Sequence, residues 1–163
     1  NDTEGFDMTP GDAAQAYVDM LNASLSSNEN FASDEFTSKY LDAASSLNSS
    51  LAAAGNVTAS ASLTENPVTG VVLEDGSALV ATTFSYTLTY SRTVAGSTMR
   101  LGGQTATMNA GDDDSVKGTA IATYVATVMM NIPSSEQGGI ARIIGAERVL
   151  ESVTMDESTN PDN

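Results

Sequence analysis

Apolar residues recur at spacings of three and four through the first third of the chain. Near Asn56 the spacing changes to every second position, so helices come first and strands follow. Ala14, Tyr17, Val18, Leu21 and Leu25 form one stripe on a helix of about four turns. Thr9 suits its cap, Pro10 its first helical position, and Asp12 stands three residues after the cap. A second helix starts at Ser33 with Asp34 and Glu35, whose charges complement the helix dipole. Phe36, Tyr40, Ala44, Leu47 and Leu51 make its buried face, and Gly55 is expected to end it in the left-handed position after the cap.

Strands account for the rest. Val57 to Leu63 and Val68 to Glu74 alternate weakly, and Asp75-Gly76 signals a two-residue hairpin. From Ala78 to Tyr90 the alternation is clear. Val80, Phe84, Tyr86, Leu88 and Tyr90 point one way, and Ala81, Thr83, Ser85, Thr87 and Thr89 the other. A strand is also expected from Val94 to Leu101, around Gly96, followed by a polar connection from Gly102 to Gly118. Thr119 to Ile132 is apolar on both sides, which predicts a central strand covered on both faces. Ile140 to Met155 closes the fold with a kink at Gly145. The expected class is α+β, two N-terminal helices packed on a curved antiparallel sheet of about four to six strands. Residues 1–9 read as a tether, 10–155 as one domain and 156–163 as an acidic tail.

Charge narrows the set of partners. The chain has 163 residues, with six Lys+Arg against 21 Asp+Glu and a net charge of −15. Nucleic acids and anionic membranes are recognised by clustered cations, and here the six are scattered, so neither is expected as a partner. No run reaches the roughly 18 apolar residues of a membrane span. Ala, Ser and Thr are abundant and Lys is scarce, a balance found in exported bacterial proteins. An extracytoplasmic location is therefore expected, with any targeting or anchoring segment upstream of Asn1.

Candidate chemistry is sparse. There is no Cys and no His, so thiol chemistry and imidazole proton shuttles are absent, and no Ser could be activated by a His. Asp112-Asp113-Asp114, with Asn109, Gly111 and Ser115, supplies oxygens of the kind Ca²⁺ takes. It lacks the alternate spacing and the closing bidentate acid, a part that only a distant residue such as Glu136 could play. No metal, cofactor or catalytic residue is assigned. The residues placed to line a pocket between helices and sheet are Tyr17, Tyr40, Tyr86, Tyr90 and Tyr124. The nearly chargeless outward face of the Ala78–Tyr90 strand also admits a homodimer through the sheet.

The element order, with Ala13-Ala14-Gln15-Ala16-Tyr17-Val18 on the first helix, the helix from Phe36 to Leu51 and Gly76-Ser77-Ala78-Leu79-Val80 opening a long strand, resembles the nuclear-transport-factor-2-like, cystatin-like superfamily. Within it, the chain is similar to actinobacterial Mce-associated proteins and VirB-type secretion-system periplasmic domains, over roughly residues 10–155. The resemblance implies a non-catalytic accessory or interaction domain of a cell-envelope protein. The alternative it carries is a cone-shaped pocket that binds or converts a small molecule. At the close the chain departs from the pattern, with Gly145-Ala146-Glu147-Arg148-Val149-Leu150 and no Trp.

Overall fold

Thr9 caps the first helix as its spacing predicts: its hydroxyl accepts a hydrogen bond from the Asp12 N–H at 3.1 Å and donates to the Asp12 carboxylate at 2.6 Å. In the computed structural model, which describes residues 5–66, 68–109 and 113–163, this helix is α1, Pro10–Asn22. It is followed by α2 (Glu35–Ser50), β1 (Gly55–Leu63), β2 (Thr69–Val72), β3 (Ala78–Arg92), α3 (Gly103–Met108), β4 (Thr119–Ile132) and β5 (Arg142–Asp156). The class is α+β: the two N-terminal helices and α3 pack against an open antiparallel sheet of five strands. Along the sheet the order is β1-β3-β4-β5, with β2 paired to β3.

Several local expectations need correction. α1 stops at Asn22, one turn short of Leu25, because Ser24 turns left-handed (φ 56°), leaving Leu25 exposed. The cap of α2 is made by Asp34, whose carboxylate accepts from the Thr37 N–H at 2.8 Å and its hydroxyl at 2.7 Å. The predicted stripe from Phe36 to Leu51 is only half-buried, and Thr37 is the fully buried residue of α2. Gly55 does not end a helix. It opens β1, where any Cβ would lie 1.9 Å from the Ser91 carbonyl oxygen. The hairpin loop is longer than two residues, since Gly76 N–H bonds Leu73 O and Leu73 N–H bonds Ser77 O, with Gly76 at φ 85°. No strand forms from Val94 to Leu101 apart from an isolated bridge between Arg100 and Ser115. Nothing in the apolar periodicity pointed to α3.

The described chain divides into two compact units, each drawn from three segments. In the first (to Leu41, Ala61–Ser85 and Ala126–Arg148), Tyr17 is fully buried and meets Phe31 and Phe84 edge-on at ring-centroid distances of 5.6 and 5.9 Å. Its hydroxyl lies 2.9 Å from that of Thr37. Asn22 clamps Ala61 through both its N–H and its carbonyl, at 2.7 and 2.8 Å. In the second unit (Asp42–Ser60, Tyr86–Val125 and Val149 onward), Tyr86, Leu88, Tyr90, Met99, Leu101, Val116 and Leu150 are buried. There the Arg92 side chain donates to the carbonyls of Lys117, Val94 and Ser97 and to Asn160 and Asp162. The last residues are thereby tied to the unit.

Candidate functional site

The five tyrosines fall into different settings. Tyr17 and Tyr40 belong to the first unit, and Tyr86, Tyr90 and Tyr124 to the second. Tyr17 is an interior packing residue. Tyr40 is half-buried on α2 with the Arg148 guanidinium 5.0 Å from its ring centre, and burial raises its hydroxyl's pKa above the ordinary 10.0 against the opposing pull of Arg148. Tyr86 and Tyr124 face each other at 6.5 Å between centroids, and Tyr90 is buried two positions beyond Leu88 on β3. Strand alternation explains why Tyr86 and Tyr90 share the core face.

A cavity of about 730 Å³ does exist, but none of the five tyrosines lines it. It is an open groove in the first unit, formed by Gly5, Phe6, Val72, Asp75, Gly76, Ser134, Glu136 and Gln137. The Gln137 side chain donates to the Asp75 carbonyl at 2.7 Å, and the Ser135 N–H to the Gly5 carbonyl at 2.8 Å. These bonds join the β2–β3 turn and the N-terminal segment to the loop before β5. The sequence held no signal for this groove, because its walls come from three distant loops.

The outward face of the strands is the second feature. β3 is strictly alternating, with every second residue from Ala78 to Arg92 buried. Its outward residues in the second unit are Thr87, Thr89 and Ser91. Beside them stand Thr58 and Ser60 of β1, and Ile121, Thr123 and Val125 of β4. The Thr87 hydroxyl reaches the Ser60 carbonyl at 3.4 Å. In the first unit, Thr83 and Thr127 touch through their hydroxyls at 3.2 Å. Ile121 is 38% exposed and Met129 41%, so β4, although central, is not covered on both faces as its composition predicts. Across β1, β3 and β4 the one charged residue is Arg92, and it is buried.

The Asp112–Asp114 run is used locally where it is described. Asp113 accepts from the Ser115 N–H at 2.9 Å, which holds its carboxyl below the ordinary range, and Asp114 pairs with Arg100. Asp112 lies outside the described residues. Among those residues, no group of three or more Asp or Glu gathers to hold a metal ion, and no helix is long and apolar enough to cross a membrane. Comparison with protein families, with curated proteins and with solved structures finds no match for this chain.

Proposed function

We propose that this chain is a non-catalytic interaction domain of a bacterial cell-envelope protein, placed outside the cytoplasm, and that it meets a second copy of itself across the outward face that β1, β3 and β4 present in the second unit. The observation that carries the reading is the chargeless face itself, with Ile121 exposed among threonines, in a chain of net charge −15. Exposed sheet is ordinarily broken up by charged side chains. Two copies this acidic repel one another, and least strongly where neither presents a carboxylate. The small-residue, lysine-poor composition and the superfamily resemblance support the location.

Light scattering across a salt series tests the association. The mass should rise toward that of a dimer as salt screens the acids. Thr87→Lys should hold the protein monomeric at every salt with an unchanged fold, because a lysine is costly when buried unpaired and harmless when exposed. A monomeric mass throughout, well above micromolar concentration, overturns self-association. Protease treatment of intact cells making the full-length protein tests the location, and a chain protected until lysis overturns it.

A further inference from the structure

β2 is the one described strand with no buried or half-buried residue. Thr69, Gly70, Val71 and Val72 are all exposed, Val71 at 59% and Val72 at 61%. Its partner is β3, with Val71 opposite Leu79 and Thr69 opposite Ala81. Leu73 N–H bonds Ser77 O at 2.8 Å. Hydrogen-bonded pairs alternate along an antiparallel ladder. Thr69 and Val71 therefore direct their backbone groups to β3, and Gly70 and Val72 direct theirs to the other edge, which no described strand pairs. The edge carries no charge and no lysine guard of the kind that usually blunts such a strand.

The groove begins where this edge ends. Val72 lines it together with Phe6, Gly76 and Ser134, and two acidic residues, Asp75 and Glu136, are among its lining. No cation is among its lining residues. Asp75 keeps its charge because Ser77 donates to it through both its hydroxyl (2.7 Å) and its N–H (3.0 Å). A strand docked beside β2 would thus meet backbone donors and acceptors, then apolar surface from Val72 and Phe6, then negative charge.

We infer that β2 is a docking edge for an extended peptide that carries an Arg or Lys between β-branched apolar residues. The peptide adds as a further strand through Gly70 and Val72, and its cationic side chain enters the groove toward Asp75 and Glu136. Main-chain bonds supply affinity in this mode, and the side-chain pocket supplies selectivity. Charge complementarity picks the occupant: an acidic peptide, this chain's own acidic segments included, meets like charge there. The edge shares no residue with the Thr87–Ile121 face, so either reading can fail alone.

The probe is acetyl-Val-Arg-Val-Thr-Val-amide, titrated into the ¹⁵N-labelled full chain, with the same peptide carrying Glu for Arg as control. Shifts should concentrate at residues 69–76 and 134–137, weaken as salt rises, and vanish with the Glu peptide. Val72→Pro deletes an outward N–H without removing a bond to β3 and should weaken binding at least about tenfold. Glu136→Gln should weaken it about threefold. If circular dichroism shows Val72→Pro unfolded, Glu136→Gln and the Glu peptide decide. The proposal is overturned if shifts appear elsewhere or not at all, if folded Val72→Pro binds as the parent does, or if the Glu peptide binds equally.

Discussion

Arg92 is the residue on which the second unit's end depends. Its guanidinium is 5% exposed and satisfied by three carbonyls, Asn160 and Asp162. A buried guanidinium needs such partners, since its charge is costly to strip of water. The hydrogen bond from Arg92, and next that from the Gly96 N–H, hold the Asp162 carboxyl below its ordinary 3.8. Because the folded value is depressed, the contribution is complete above the ordinary value and lost as pH falls through the lowered one. Residues 157–163 should therefore loosen below about pH 4, visible as an acid step in the Gly96 amide shift. Asp162→Asn should abolish that step, and a variant showing it unchanged would refute the assignment. Arg92→Ala, which strands these acceptors, should cost about 2–4 kcal/mol in denaturant unfolding. Sequence alone did not single out this arginine, because its partners lie up to 70 positions away.

At the scale of elements, periodicity carried most of the information. The two helices, the long alternating β3 and the two late strands stand where their spacing placed them, since a core face of fixed period is written into neighbouring residues. Ends were less legible. Ser33, Asp34 and Glu35 all suit a helix start, and only the fold shows Asp34 engaging Thr37, which in turn meets Tyr17. Asp34→Ala should lower stability by about 1 kcal/mol and Asp34→Asn by much less. Equal denaturant midpoints for the two variants would contradict the capping role. In the sequence Gly55 suits a helix stop, because glycine marks both stops and close approaches. The Ser91 carbonyl beside it decides for the second. β4 departs from its pattern for a related reason: an apolar outward residue looks the same in sequence whether another layer covers it or not.

For the whole molecule the governing quantity is the net charge of −15. Two of the described ion pairs, Lys39–Glu35 and Lys117–Glu157, sit in solvent with side chains about half exposed or more, where such pairs contribute about 0–1 kcal/mol. Most carboxylates thus repel each other through water, and screening should relieve that strain. The melting temperature should rise by at least a few degrees between low salt and molar sodium chloride. A flat or falling melting temperature would show that the acids are already compensated.

The amino-acid sequence by itself determined the class, the order of helices before strands, the inward residues of β3 and the lack of thiol and imidazole chemistry. These depend on residue type and local period, which a chain carries before it folds. The groove between Phe6, Val72 and Gln137, the clamp of Arg92 on Asn160 and Asp162, the exposure of β2 and the uncovered face at Ile121 were decided by tertiary structure alone. Each depends on which distant segments meet or fail to meet, and that is a property of packing rather than of neighbours in the chain.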